Sequence, residues 1–309
     1  MSHKVMMVGE LTLDDVVFED EGCQWKLLGG GALYSAIGAM VWGAETALNA
    51  VIGNDYPEHQ LRRLEDEGID LTGVIRIDRP SLGVWLLNER GGRRHQVEKA
   101  SASSFQTLDE ARPALAISGD KTDGIHVAPQ TTAGQIRALT DASALTTTIT
   151  QDLLVEPFID PEPYRDGTAI RGTTAFLPSE QEVRQLWGEL DPRHLLQELR
   201  TLSKIRFLVI KRGPRGVDVV APNRVINVPA VALHPLDTTG AGDAFCGGFL
   251  AGLLATGDAV EAAVRGSVSA AFVVETRDAI DALDALRELG ATAPTRRADR
   301  LRRDVKERT

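Results

Sequence analysis

The feature of this chain that most restricts its fold is a regular alternation of two kinds of segment. Short apolar runs of strand type recur between longer stretches of helical period along most of the 309 residues. Residues 5–8 read as a first strand, 33–41 as a helix ending near Gly43, 46–52 as a strand, and 57–67 as a helix ending at Gly68. Runs at 124–128, 147–151, 174–177 and 207–210 read as further short buried strands, with helical patterns between them at 133–143 and 180–187. A helix between two strands returns the chain in its original direction, so the pattern implies a mainly parallel sheet covered by helices on both faces. The expected fold is a three-layer α/β/α sandwich with a mainly parallel central sheet. The 43% hydrophobic content is enough to fill such a core, and the low aromatic share of 5% suits it better than an all-β sandwich.

Two segments break the rhythm. Residues 16–28 are short and polar-alternating, and 82–98 hold Gly91-Gly92 between two strand-like runs, a hairpin signal. These segments are expected to form a small β lid appended to the core. No linker rich in Pro, Gly or Ser occurs and no repeat is visible. The chain therefore reads as one domain over 1–294 with lid segments near 16–28 and 82–98, followed by a basic tail over 295–309. In that tail Arg296, Arg297, Arg300, Arg302, Arg303, Lys306 and Arg308 stand against Asp299, Asp304 and Glu307. It reads first as a solvated helix end or disordered tail, and second as an arm for a partner or polyanion. The net charge of −10 argues against a nucleic-acid partner. No apolar run has the length of a membrane span, and no signal-peptide pattern precedes the first strand. Cys23 and Cys246 lie far apart and define neither a disulfide framework nor a metal cluster, so a reducing, cytoplasmic setting is expected.

The strongest local signal is Leu236-Asp237-Thr238-Thr239-Gly240-Ala241-Gly242-Asp243-Ala244-Phe245, which opens a run of small and apolar residues over 246–255 that reads as a buried helix. The first amides of a helix lack partners within it, and its dipole favours negative charge there. Gly240, Ala241 and Gly242 thus predict an anion hole for a phosphoryl group in transit, with Asp243 beside it. An aspartate is also simply favoured in a first turn, but the whole string argues for a proton acceptor. A carboxylate is a weak base, which the loose transition state of phosphoryl transfer tolerates.

This string resembles the signature of the ribokinase family, also called the PfkB carbohydrate kinases, and the resemblance extends from Gly9 to about Leu289. It implies a ribokinase-like sandwich with a β lid, and an ATP-dependent phosphotransferase acting on a hydroxyl of a small sugar or sugar-like acceptor. By the resemblance Asp243 is the general base, and Asp237 and Thr239 stand where some members hold a monovalent cation such as K⁺. Gly9-Glu10-Leu11-Thr12-Leu13-Asp14 is similar to the family's first strand and loop, where an Asp binds substrate hydroxyls. A carboxylate can accept two such bonds. Asp14 is the candidate, and Asp15 its adjacent competitor. Gly29-Gly30-Gly31-Ala32-Leu33-Tyr34 resembles the family's substrate loop, in which Gly30 and Gly31 let a ligand approach the backbone. Tyr34 replaces a frequent Asn, and could stack on a ring, close the pocket, or belong to the core.

Phe176-Leu177-Pro178-Ser179-Glu180-Gln181-Glu182 matches the segment that carries Asn-x-x-Glu in the family, with Ser179 in place of the Asn. Glu182 is there expected to organise Mg²⁺, which keeps several waters; Ser179 and Glu182 also have the spacing of a capping box. Asp152, after the run 147–151, is a second candidate near the phosphates. Val209-Ile210-Lys211-Arg212-Gly213-Pro214-Arg215-Gly216 resembles the nucleotide segment. Lys211 could reach a phosphate, and Gly213 and Gly216 could admit ATP to the backbone; a plain turn is the alternative. The small-residue helix at 266–274 packs beside adenine in the family.

No P-loop and no dinucleotide fingerprint occurs, and His126 and the other histidines lack metal-ligand spacing. The rival readings are a nucleoside kinase of the same superfamily and a non-catalytic sugar- or nucleotide-binding homologue. The expected partners are ATP with Mg²⁺ and a small-molecule acceptor, with monomer and homodimer both open.

Overall fold

The computed structural model describes residues 2–18, 22–88, 94–115, 122–154, 159–203 and 205–308. The first half runs β1 (Lys4–Val8), β2 (Thr12–Phe18), β3 (Gly22–Gly29), α1 (Gly31–Met40), β4 (Glu45–Ile52), α2 (Glu58–Asp66), β5 (Asp70–Arg76), β6 (Val84–Asn88), β7 (Arg94–Glu98), α3 (Phe105–Ala111), β8 (Gly124–Val127) and α4 (Thr132–Leu145). The second half runs β9 (Ile149–Gln151), α5 (Glu162–Arg165), β10 (Ala175–Phe176), α6 (Glu180–Trp187), α7 (Pro192–Ser203), β11 (Phe207–Lys211), β12 (Val217–Val220), β13 (Val225–Val228), α8 (Ala241–Thr256), α9 (Ala259–Val274), α10 (Ala279–Glu288), α11 (Ala293–Leu301) and β14 (Lys306–Arg308).

Among the described residues these strands form one ten-stranded sheet, ordered β14-β13-β12-β11-β10-β9-β8-β1-β4-β5, and one four-stranded sheet, β3-β2-β6-β7. From β5 to β11 every neighbouring pair in the large sheet is parallel, while β12, β13 and β14 close one edge antiparallel. Side chains alternate across each strand, so two cores result. Val5 and Met7 of β1 face α1, α8 and α10, whereas Met6 and Val8 face α4. Val209 of β11 packs against α8 and α9, whereas Leu208 and Ile210 pack against α6 and α7. Several helices start at side-chain caps: Thr131 for α4, Ser179 for α6, Asp258 for α9 and Asp278 for α10.

The small sheet consists of two antiparallel pairs, β2 with β3 and β6 with β7, joined by a parallel β2–β6 contact. The two expected lid segments are thus one sheet. The Gly91-Gly92 turn of the second pair lies outside the described residues, as does the connection at 19–21. No helix among the described residues is long and apolar enough to cross a membrane.

The segment from residue 295 corrects the expectation of a separate tail. It completes α11, whose Ala298 and Leu301 are buried in the core beneath α9. Arg297 pairs with Glu275 and Arg302 with Glu261, each at 2.6 Å. β14 then adds to the sheet beside β13, with Arg308 paired to the buried Asp218. The apolar stripe Pro294, Ala298, Leu301 has helical spacing, but the surrounding cations hid it.

Truncation after residue 294 therefore removes packed structure. Burying the leucine alone is worth about 2 kcal/mol, so the melting temperature of the truncated chain is expected to fall by several degrees. A truncated chain that melts with the full-length one would show that the segment packs against nothing of consequence.

Candidate active site

Parallel sheets present ligand sites beyond the carboxyl ends of their strands. Here that rim carries Glu10 after β1, Pro129 after β8, Asp152 after β9 and Lys211 at the end of β11, and the N-termini of α1 and α8 close over it. One cavity runs along this rim, with Asp14 toward one end, Lys211 and Glu182 toward the other, and Asp243 in its lining.

At the first end Asp14 is buried. It accepts from the Thr12 hydroxyl at 2.8 Å and from the Val84 amide at 3.2 Å, across to the lid strand β6. Burial pushes its carboxyl up to about 6, against those two hydrogen bonds. Asp15 leans to the other side of the lid, where it pairs with Lys99 at 2.8 Å and does not reach this cavity. The glycine run is explained by what approaches it. A Cβ on Gly29 would strike the Asp14 carboxylate, and one on Gly30, whose φ is 104°, would strike the Glu10 carbonyl. A Cβ on Gly31 would lie 2.9 Å from Asp243 Oδ1. Val84, Leu86 and Phe105 give this end an apolar wall, beside Gln96 of β7.

Tyr34 does belong to the core, and it also lines the cavity. Its ring lies under Gly240, where no Cβ would fit; Gly240 caps α8 with φ 74°. The tyrosine thus supports the loop that opens α8. Burial, with Asp237 adding to it, raises its phenol far above the usual range. Ser35 reinforces the junction by donating to the Asp243 carbonyl at 3.1 Å. Gly240, Ala241, Gly242 and Asp243 all line the cavity. The Ala241 amide, however, turns back to the Thr238 carbonyl at 3.3 Å, so it is already engaged within the loop.

At the other end Lys211 comes close to Gly242, with Nζ 3.5 Å from where a Cβ would sit. Its ammonium pairs with Asp152. Burial opposes the charge on Lys211, but Asp152 and the neighbouring acids outweigh it and hold the amine well above its ordinary value. Glu182 accepts from the Ser179 amide at 2.6 Å, and Ser179 Oγ accepts from the Glu182 amide at 3.2 Å, a complete capping box. Burial, then the charge of Asp152, push Glu182 up to about 7, while Lys211 pulls it down. Asp152 is itself fixed from behind: Gln135 donates to its carbonyl at 2.6 Å. Cys246 Sγ lies 3.6 Å from its carboxylate; both cysteines are free thiols.

The expected ATP glycines are not brought to this cavity. Gly213 and Gly216 form the tight turn between β11 and β12, where a Cβ on Gly216 would strike the Val228 carbonyl. Asp237 also lies outside the lining; its Oδ1 accepts from both the amide and the hydroxyl of Thr239, each at 2.8 Å, while Thr239 itself lines the cavity. Glu10, Thr12, Gln96 and Phe105 line it too and were not singled out in the sequence. Only Glu10 and Thr12, lying between Gly9 and Asp14, had a signal that could have found them. Among the described residues no three His, Cys, Asp or Glu side chains converge as a metal-binding group.

Comparison with known proteins identifies a family and a fold. Residues 2–286 match the family pfkB family carbohydrate kinase. A cytidine kinase of Thermococcus kodakarensis is 27% identical over 253 residues, covering 80% of this chain and 87% of its own. Among solved structures, a nucleoside kinase of Burkholderia thailandensis in complex with inosine superposes with a TM-score of 0.75 at 16% identity, covering 96% of this chain and 98% of its own. A putative ribokinase II of E. coli in complex with ATP and Mg²⁺ superposes with a TM-score of 0.67 at 20% identity, covering 93% of this chain and 98% of its own. These two structures share the fold.

The ion pair at the second end makes a stability prediction. Removing one partner of a buried pair leaves uncompensated charge and costs about 3–5 kcal/mol. Lys211→Met strands both Asp152 and Glu182, so a loss of that order is expected in denaturant titrations. A loss below about 1 kcal/mol, the range of an exposed pair, would mean that water already screens these acids.

Proposed function

The chain belongs to the pfkB family of carbohydrate kinases, and from that premise we propose that Asp243 is the base that takes the acceptor proton as the γ-phosphoryl of ATP is transferred. The protein is a sugar or nucleoside kinase of this superfamily; the roles of individual residues are our reading. One observation carries it. Asp243 Oδ1 faces Gly31 in the lining shared by Asp14 and by Lys211. An acceptor hydroxyl held by Asp14 and the Gly30–Gly31 backbone would therefore lie beside a carboxylate, in front of the α8 N-terminus. The proton passes to an Asp243 oxygen as the acceptor oxygen attacks the phosphorus, and ADP leaves toward Lys211. The amides opening α8 stabilise negative charge on the transferring group, with Gly240, Gly242 and Asp243 favoured over the engaged Ala241. The lid strands β6 and β7 cover the acceptor through Val84, Leu86 and Gln96 and exclude water.

The acids at the second end fit Mg²⁺. Glu182 is kept near neutrality by burial and by Asp152, and a hard divalent cation bound by carboxylate oxygens would remove that repulsion. With so few protein ligands at hand, most of its coordination would come from water and nucleotide. Glu182 and Asp152 would hold it, and it would neutralise charge on the phosphates. A nucleoside acceptor is the second reading. It is supported by the apolar wall of Val84, Leu86 and Phe105, against which a nucleobase could pack. ATP turnover over fructose, ribose, cytidine and inosine separates the two.

Asp243→Asn keeps the shape and removes the proton acceptor. Turnover is expected to fall by about 10²–10⁴. Nucleotide affinity should hold, and the fold should lose no more than about 0.3–1 kcal/mol. Normal turnover would sink the assignment, and loss of ATP binding would make Asp243 structural.

Glu182→Gln separates metal from cap, because glutamine also completes a capping box. The Mg²⁺ concentration for half-maximal turnover is expected to rise about tenfold with the melting temperature kept. An unchanged Mg²⁺ titration would leave Glu182 as a helix cap only.

A further inference from the structure

Arg112 follows the last turn of α3 and its side chain is 6% exposed. Its Nη1 donates to the Gly9 carbonyl at 3.2 Å and to the Asn49 carbonyl at 2.8 Å, beyond β1 and within β4. Its Nη2 donates to Glu10 and lies 3.8 Å from Asp109 Oδ1. Two buried carboxylates thus share Arg112, and Arg137 acts on Asp109 from α4. In this cluster, among the described residues, Glu10 Oε2 and Asp109 Oδ1 have no hydrogen-bond partner, nor has the Arg112 Nε donor, and the two carboxyl groups lie within hydrogen-bond reach of each other. Two adjacent acceptor oxygens without a donor are satisfied together if one proton lies between them. With Glu10 protonated and donating its O–H to Asp109, one carboxylate remains beside Arg112 and both oxygens are used.

We propose that Glu10, Asp109 and Arg112 are positioning residues, a clasp completed by one shared proton that fastens α3 to the floor of the acceptor cavity and loosens when that proton leaves. The inference rests on the acceptor reading given above. On one side of the clasp, α3 carries Phe105 into the cavity and follows β7, which carries Gln96. On the other, Glu10 lines the cavity and leads into Thr12 and Asp14. Opening the clasp would therefore displace both walls of the acceptor end together, while the ATP end keeps its own ion pair.

The groups around the proton are few. Asp109 and Arg112 approach from α3, and Arg137 of α4 donates to the Asp109 carbonyl at 2.7 Å. Asp14 and Asp243 share the cavity lining, and β4 contributes the uncharged Asn49. Burial pushes Glu10 from 4.5 up to about 7, with Arg112 opposing and Asp109 adding. The folded chain so keeps a proton that the unfolded chain releases. The stabilisation is complete below 4.5 and is lost as pH rises through about 7.

The test measures acceptor KM, ATP KM and melting temperature from about pH 6 to about pH 8.5 for the native chain, Glu10→Gln and Asp109→Asn. Fructose or cytidine serves as the acceptor, whichever is turned over. In the native chain acceptor KM is expected to rise up to about tenfold per pH unit beyond neutrality as the clasped fraction falls, with ATP KM unmoved. Glu10→Gln puts an amide N–H in place of the shared proton, and Asp109→Asn leaves one acid for one cation. Both should hold acceptor KM flat, and both should lose the native fall in melting temperature over the same range. Variants that keep the native pH dependence of acceptor KM, or a parallel rise in ATP KM, overturn the clasp and leave the kinase reading standing. If no acceptor is turned over, the kinase reading fails by itself. The melting series then decides: flattened curves support the shared proton, and curves parallel to the native one refute it.

Discussion

The close approach of α1 to α8 is the contact on which the site depends. Each helix brings an N-terminus, and with it the positive end of a dipole, to the same rim of the sheet. At the nearest points glycine lets backbone meet backbone: a Cβ on Gly38 would strike the Ala244 carbonyl and one on Gly247 the Ser35 carbonyl, while toward the rim Gly31 lies against the Asp243 carboxylate and Gly240 against the Tyr34 ring. α8 is sixteen residues long and buried from Ala244 to Leu253, so its position is set by the core rather than by the loop before it. A rigid helix held deep in the sandwich thus fixes the place of one carboxylate. Under our reading, what is built on that place, an acceptor end under a lid and a phosphate end over the sheet, follows from which strands happen to end nearby.

Both ends follow the same charge arithmetic. At the phosphate end Lys211 serves Asp152 and Glu182; beneath the acceptor end Arg112 serves Glu10 and Asp109. In each buried group two acids lie beside one closely paired cation, although Arg137 also acts on Asp109. Burial makes that imbalance expensive, and two remedies exist: a second cation or a proton. Under our reading the phosphate end takes a metal ion that arrives with the nucleotide, and the acceptor end takes a proton. The same deficit is thereby filled once by a reactant and once by solvent.

The layered fold was legible because its signals are local. Strand and helix periods, the glycines ending helices, and the capping box at Ser179 each lie within a few residues, and the structure has them where the sequence put them. The site was legible wherever a short string carries it, as at Asp14, Gly31, Lys211 and Asp243. The rest depends on contacts distant in sequence. Nothing near Arg112 announces that it reaches Glu10 and the Asn49 carbonyl. Tyr34 could be read equally as a core residue or a pocket residue, and it is both, because the pocket wall at that point is the back of the core. The arginine-rich end misled for a related reason. Composition pointed to a solvated arm, while Ala298, Leu301 and the acids waiting at Glu261, Glu275 and Asp218 decided otherwise.

That end has a consequence for how the chain must be assembled. β13 carries Val225, Ile226 and Val228, and until β14 is laid beside it the large sheet ends in an open row of backbone donors and acceptors. Such a row is a template for another chain's strand. The strand that covers it, Lys306-Glu307-Arg308, is short, charged and exposed, and Arg308 is tied inward to Asp218. It ends the sheet with a surface that repels further strands. Because it follows every other strand in sequence, this guard is the last of them to be synthesised. The interval before it closes is when a nascent or partly unfolded chain is most exposed to self-association.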